Sequence, residues 1–271
     1  MPYVVDHRFG LTLVGMPKLS QSLGPWIRHV PSSVHQRLSR EKELMEQLID
    51  GLPAFDRFEQ RWHHSLTNWL PFHWRGFEQT TRYTYLLDDL SNLDQVWEGF
   101  RGNIRREIKK AEQRVEVTAT EDPEALVAMV GRTYSRQRRG LPFSVDLIGR
   151  IDDACRARGV RRILVARDES GLPHAALLMV WDPQAAYYLL GGADETLRTS
   201  GAQSLLLWHA IRHAATVTRS FNFEGSMIES IERFFRAFGA RQAGYFAVSK
   251  ASRRMNALLS TRKLLRGLKG A

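Results

Sequence analysis

The clearest alternation of apolar and polar positions lies in the second half of the chain. Residues 114–120 (RVEVTAT) alternate with period two and predict a strand. Asp122 followed by Pro123 makes an N-cap and first-turn pair, opening a helix to about residue 138. Ser144 caps a second helix over 144–158. Three strands are expected next, at 161–168, 174–182 and 185–192. The short Asp182-Pro183-Gln184 link makes the last two a hairpin. Residues 200–217 gather Leu206, Leu207, Ala210, Ile211 and Ala214 on one side of a helix. A strand at 219–224, a helix at about 228–238 and a strand at 242–250 follow. The order is strand, two helices, three strands, helix, strand, helix, strand.

The first half is less regular. Residues 3–16 read as two short strands around Phe9-Gly10. Ser32 or Ser33 can cap a helix that runs to about Asp50 and is stopped by Gly51 and Pro53. The Thr- and Tyr-rich stretch 77–88 predicts a strand. Residues 92–113 predict a helix, with Gly99 and Gly102 as points of interruption.

Length and composition leave this picture in place. The 271 residues suffice for one large domain or two small ones, and 43% hydrophobic with 25% charged residues is ordinary for a globular chain. With no leader-like pattern and no apolar run near the roughly 20 residues that span a bilayer, a cytoplasmic protein is expected. Cys155 is the only cysteine, which excludes an internal disulfide and a cysteine metal cluster. The net charge of +10 changes more, because it favours anionic partners: nucleic acid, acidic lipid, or a phosphate-bearing substrate. Arg101, Arg105, Arg106, Lys109, Lys110 and Arg114 crowd one predicted helix. Residues 249–271 carry seven Lys or Arg and no acid, with Leu258, Leu259, Leu264, Leu265 and Leu268 between them. Such a tail can lie on an acidic membrane, or pack its leucines against the N-terminal half, which is the preferred expectation.

Three stretches stand out for chemistry. Arg198-Thr199-Ser200-Gly201-Ala202 joins the strand at 185–192 to the next helix, where backbone N–H groups and a helix dipole suit a phosphate. The bland alternative is an ordinary connection capped by Ser200. In FNFEGS, 221–226, alternation sends Phe221 and Phe223 to one face and Asn222 and Glu224 to the other. Glu224 can serve as a base or form a buried hydrogen-bonded pair; Ser226 can contact substrate or simply cap the following helix. Gln79, Arg82, Tyr83 and Tyr85 mix aromatic faces with hydrogen-bond donors, as a sugar or amino-acid site would, or as a surface strand would. His209 and His213 lie four apart on a helix but lack a third metal ligand nearby, so no metal is expected. Cys155 reads as a structural thiol.

The element order, the Arg198-x-x-Gly201-x-Gln203 loop and Phe234-Phe235-Arg236-Ala237-Phe238-Gly239 together resemble the GNAT acyltransferases. The stretches 68–85 (NWLPFHWRGFEQTTRYTY), GNIRREIKKAEQ, GAQSLLLWHAI and FNFEGSMIESIERFFRAFGA resemble a narrower group, the bacterial Fem-related GNAT proteins of polysaccharide and cell-envelope synthesis. This resemblance implies an α/β fold, a GNAT-like mixed sheet flanked by helices, in two GNAT-like halves with the N-terminal one degenerate. Residues 1–113 would be that acceptor-side half, 114–250 the acyltransferase domain, and 251–271 a basic amphipathic tail. It further implies acyl-CoA, with acetyl-CoA favoured, as co-substrate. Leu189 and Leu190 would offer backbone groups to the pantetheine arm; Gly192, Arg198, Gly201, Ala202, Gln203 and Ser204 would surround the pyrophosphate. Gln79, Arg82, Tyr83 and Tyr85 would meet the acceptor.

Two positions depart from the family pattern. Gln203 stands where a small residue is usual, and Phe235 where many members place a tyrosine acid. Tyr187, Tyr188 and Tyr245 are the substitutes in view, with Tyr188 nearest the expected cleft. The resulting expectation is direct attack of an amine on an acyl thioester, with Glu224, Tyr188 and Ser226 as the catalytic set. The acceptor would be a sugar-linked amine or an amino compound. The alternatives are an aminoacyl-tRNA donor, as in Fem-type enzymes, which often carry a long coiled-coil insertion absent from this chain, or a non-catalytic binding module.

Overall fold

The structure, a computed structural model, describes residues 1–136 and 140–267, with the side chains of residues 136 and 262–267 outside that description. The backbone divides into two compact units: Met1–Arg82 with Gly244–Ala271, and Tyr83–Ala243. The division falls at Arg82, inside a strand, and not at 113; residues 83–113 therefore belong with the second unit.

The first unit holds strands β1 (Val4–Arg8), β2 (Leu11–Gly15), β3 (Arg57–Arg61) and the body of β10 (Arg241–Ala251). β1–β2 and β3–β10 are antiparallel, and β2–β3 is parallel. Helix α1 (Val34–Asp50) starts where predicted: Ser33 and Gln36 form a reciprocal capping box. A short α2 (Leu70–Trp74) packs on it. Phe58, Trp62, Phe72, Phe77 and Val248 make the core of this unit, largely by edge-to-face aromatic contacts. The last helix, α9 (Arg253–Gly267), buries Met255 but leaves Leu258 and Leu259 exposed. The expected packing of those two leucines is therefore incorrect: they share a helix face with Met255, but every described side chain from 256 to 261 is exposed. Leu264, Leu265 and Leu268 lie outside the described side chains.

The second unit holds β4 (Glu78–Leu87, entering at Tyr83), β5 (Glu116–Thr120), β6 (Arg161–Arg167), β7 (Pro173–Trp181), β8 (Ala185–Ala193) and β9 (Ser220–Asn222), in the order β4-β9-β8-β7-β6-β5. Only β8–β9 is parallel, so the sheet is mixed. Gly102 restarts the helical stretch, giving α3 (Leu93–Gly99) and α4 (Gly102–Ala111). α4 and α7 (Ala202–Val217) enclose the main core against one face of the sheet, with Phe221, Phe223, Phe235 and Phe238 packed between. α5 (Glu124–Arg136) and α6 (Val145–Arg156) cover the other face. α8 (Glu229–Arg236) follows β9.

The β6–β7 turn is held by one carboxylate. Asp168 accepts hydrogen bonds from Ser170 Oγ at 2.6 Å and from the Ser170 and Leu172 N–H groups at 3.0 Å, and faces His174 Nε2 at 3.1 Å. These bonds, that of the Ser170 hydroxyl first, hold its carboxyl well below the ordinary 3.8, at about 2. A depressed carboxyl stabilises the folded state fully above its unfolded value, and that stabilisation is lost as pH falls towards 2. Asp168→Asn is thus expected to lower the melting temperature at pH 7. The gap to wild type should close between about pH 4 and pH 2, as read by melts across that range.

Candidate functional site

The second unit contains a place where its sheet comes apart. β8 pairs in parallel with β9 only over Ala185–Tyr187, opposite Ser220–Asn222. On its other edge β8 pairs with β7, with Leu190 opposite Leu178 and Tyr188 opposite Met179. Leu189 is therefore an extra residue, a β-bulge. Beyond Tyr187, β8 runs on to Ala193 while the chain after β9 turns towards β4, where the Phe223 N–H bonds the Tyr85 carbonyl at 3.0 Å. A gap opens between the two strands, edged by Tyr188–Leu190 on one side.

The far side of the gap is built by β9 and the residues after it. The predicted strand to 224 ends early, at Asn222. Its cause is local: Glu224 has φ +62° and Gly225 φ +59°, so two successive left-handed residues turn the chain. Buried Asn222 fixes this turn, because its Oδ1 accepts from the Glu224 N–H at 2.7 Å and from Thr84 Oγ1 at 2.6 Å. Glu224 is half-buried and its charge reaches Tyr187. The Tyr187 hydroxyl donates to Asp182 at 3.0 Å, and burial first, then Asp182, then Glu224, raise its pKa strongly. Ser226 accepts the Ile228 N–H at 3.0 Å in a turn ahead of α8, whose N-cap is Ile228, without a side-chain cap bond.

Tyr188 leaves β8 on the opposite face. Its ring lies edge-on to Phe235, 5.9 Å between centroids, and its hydroxyl accepts from Gln203 Nε2 at 3.0 Å. Burial raises its pKa strongly, which keeps the phenol protonated. The ring folds back over Gly191, where a Cβ would stand 2.0 Å from the hydroxyl oxygen. With its acceptor role filled by Gln203, the Tyr188 O–H keeps its proton to donate elsewhere. Phe235, at the departure from the family pattern, is the buried wall behind this phenol.

The loop Arg198–Ser200 is a single 3₁₀ turn, and Gly201 (φ +77°) leads into α7. The first N–H groups of α7, at Ala202, Gln203 and Ser204, begin a 16-residue helix and are the ones helical geometry leaves without backbone acceptors, although that of Ala202 donates to Ser200 Oγ at 3.3 Å. Arg198 is exposed beside them, and Arg114 donates to the Thr199 carbonyl at 3.3 Å, bringing in a second guanidinium that sequence placed in another cluster. Ser204, expected at the phosphate, instead gives its hydroxyl to Glu107 of α4 at 2.9 Å. Gly192, inside β8, and Gly201 also serve other neighbours. A Cβ at Gly192 would stand 2.2 Å from the Met129 carbonyl oxygen of α5, and one at Gly201 2.7 Å from that of Glu107 in α4. The close approach they permit is that of two helices.

The acceptor-side residues are dispersed. Tyr85 is buried, its hydroxyl donating to Glu232 at 2.5 Å and accepting from Gln242 at 2.7 Å, so it serves packing. Gln79 bonds Thr81 at 2.9 Å, Arg82 is half-buried, and Tyr83 is exposed. His209 and His213 are half-buried, with pKa values lowered chiefly by burial; His213 stacks edge-on against Trp181. The Cys155 thiol is pushed up by burial, away from nucleophilic use. Among the described residues no three metal-ligating side chains come together, and no helix is long and apolar enough to cross a membrane.

Residues 98–225, from the end of α3 to the turn at Glu224-Gly225, match the acetyltransferase (GNAT) domain family. Over these residues, just under half of its length, the chain is similar to a GNAT acetyltransferase domain. Three solved structures extend the likeness to the whole chain. FemX is 12% identical with a TM-score of 0.62, covering 95% of this chain and 85% of its own. The C-terminal domain of a protein assigned as a lysylphosphatidylglycerol synthetase from Agrobacterium fabrum is 12% identical, TM-score 0.58, covering 97% and 85%. A tandem GNAT protein from the clavulanic acid biosynthesis pathway is 11% identical, TM-score 0.50, covering 89% and 74%. Identities this low speak for the fold alone, a mixed sheet flanked by helices shared over most of the chain. No curated protein sequence matches the chain. Within the matched residues, the bulge at Leu189 and the parting of β8 from β9 are features that alternation alone does not reveal.

Proposed function

We propose that the protein transfers an acyl group from acyl-CoA, acetyl-CoA in the first instance, to a primary amine. The observation that carries this reading is the gap between β8 and β9, opening at the Leu189 bulge beside the N-terminus of α7. A pantetheine arm can bond the free backbone edge at Leu189 and Leu190 as an added strand would, while its pyrophosphate meets the Gln203 N–H group, Arg198 and Arg114. Glu224, across the gap, takes the proton of the attacking amine. The Tyr188 phenol donates to the departing thiolate, in place of the tyrosine that Phe235 replaces. The carbon–nitrogen bond forms as the carbon–sulfur bond breaks, with no covalent enzyme intermediate. The acceptor is proposed to be a sugar-linked amine or an amino compound of envelope synthesis.

The test is calorimetric titration with acetyl-CoA and longer acyl-CoAs. Saturable binding is expected, weakened by about tenfold or more when Arg198 and Arg114 are both changed to alanine. Failure of every acyl-CoA to bind would overturn the donor assignment. Gly201→Ala is a poor probe, since it would disturb the packing of α4.

A second reading, an aminoacyl-tRNA donor, is supported by α4. Arg106, Lys109 and Lys110 are exposed along it and Arg101 and Arg114 just beyond its ends, and α4 packs directly against the Arg198–Gly201 loop. A polyanionic donor would use those charges through salt-sensitive contacts, so binding of aminoacyl-tRNA that falls steeply with salt would favour it over acyl-CoA.

A further inference from the structure

No acidic residue occurs between Asp6 and Glu41, whereas Arg8, Lys18, Arg28, Arg37 and Arg40 all do, with three histidines. Part of that stretch, residues 26–40, also presents large apolar side chains to solvent: Trp26 is 75% exposed, Val34 64%, Leu38 44% and Val30 39%. A soluble surface rarely sets an indole and three aliphatic side chains outward within 13 residues. Nor is this a loose end of chain. Gly24 (φ +110°) is wedged where a Cβ would stand 2.6 Å from Leu66 and 3.1 Å from Trp62, and Leu23 bridges to Trp62. Pro25 is buried, so Trp26 is thrown outward from a fixed point. Val34 and Leu38 are one turn apart on the capped first turns of α1, which places them on one face.

Beside these residues the first unit has an open groove of about 270 Å³. Its floor is apolar (Ile27, Met45, Leu66) and its rim basic (Arg28, Arg37, Arg40). Glu41, the one carboxylate on the lining, is engaged by Asn68 Nδ2 at 3.0 Å and by Arg37 at 3.8 Å. An apolar floor under a cationic rim matches an amphiphile: acyl carbons below, a phosphate at the edge.

We infer that residues 26–40 are a docking surface for an anionic phospholipid bilayer. Trp26 sits at the level of the headgroups, Val30, Val34 and Leu38 reach the acyl boundary, and the arginines meet lipid phosphates. This inference is independent of the acyl-transfer reading, and it places membrane contact at α1 and not at the C-terminal tail.

The experiment is flotation of the full chain with vesicles of phosphatidylcholine alone, or with about 30% phosphatidylglycerol added, together with quenching of tryptophan fluorescence by brominated lipid. Binding and quenching are expected with the anionic vesicles only. Trp26→Ala with Val34→Glu, and separately Arg37→Glu with Arg40→Glu, should each reduce vesicle affinity by about tenfold or more. All four side chains are exposed, and an unchanged circular dichroism spectrum would show that the variants fold. Four results would overturn the proposal: no vesicle binding by the wild type, binding by both variants equal to that of the wild type, binding abolished only by changes to Arg253 and Arg254 of α9, or saturable uptake of inorganic phosphate without vesicle binding.

Discussion

Glu224→Gly is expected to give a protein that melts slightly higher than wild type and transfers acyl groups between about 100- and 10,000-fold more slowly. The two effects have different origins in one residue. At φ +62° a side chain crowds the following carbonyl, at a cost of about 1–2 kcal/mol that glycine does not bear. Glycine's greater freedom in the unfolded chain returns part of this, leaving a gain of several tenths of a kcal/mol. The Glu224 N–H bond to Asn222 survives the change, so the turn keeps its shape. The carboxylate proposed to receive the amine proton is gone. Glu224→Gln should lose as much rate but retain wild-type stability, since it keeps the strained backbone. Melting curves and kcat for both variants check this; near-normal turnover in either would remove Glu224 from the chemistry. A left-handed glutamate next to a glycine is a strained arrangement, and strain retained at a cleft is what a functional carboxylate would explain.

Gly225→Ala should be among the most damaging single-methyl additions in the second unit. Its Cβ would stand 2.2 Å from the Tyr83 carbonyl oxygen and 2.6 Å from the Thr84 Cα, both backbone atoms of β4 that no rotamer change can move. Adding left-handed strain at φ +59° to this overlap gives an expected loss of about 3–4 kcal/mol. Gly171→Ala is the matched control. It too is left-handed, at φ +83°, but nothing lies within 4 Å of its added methyl, so only about 1 kcal/mol is expected. Urea denaturation of the pair separates steric overlap from backbone strain. Equal losses would mean that β4 does not press on Gly225.

Much of the second unit was legible because its strands and helices obey simple periods and carry their caps in place, Ser144 bonding the Leu147 N–H among them. β3 escaped because it buries Gln60, whose amide donates to the Pro2 carbonyl at 2.6 Å, where an alternating pattern calls for an apolar residue. The site was half legible. Glu224 and the loop before α7 could be found from residue type and order. The roles of Gly192, Gly201 and Ser204 could not, because they depend on which helices press against them. Tyr85 looked like a binding residue for the same reason: its Glu232 and Gln242 partners lie some 150 positions away. Trp26 and its neighbours carried a signal, the long acid-free run, that charge counting over the whole chain averages away.

The extra residue in β8 has a further consequence, for which side chains the strand can offer to each face. Before Leu189, the even positions Ala186 and Tyr188 face the core under α4 and α7; after it, the odd positions Gly191 and Ala193 do. The strand is thus two short strands spliced out of phase, an aromatic segment for the gap and a glycine segment for the helices. Removing Leu189 would therefore leave every other side chain of the strand on its present face and opposite its present β7 partner, because Tyr188 opposite Met179 and Leu190 opposite Leu178 are already consecutive rungs. The deletion would give an unbroken ladder and take away only the irregularity at which the gap opens.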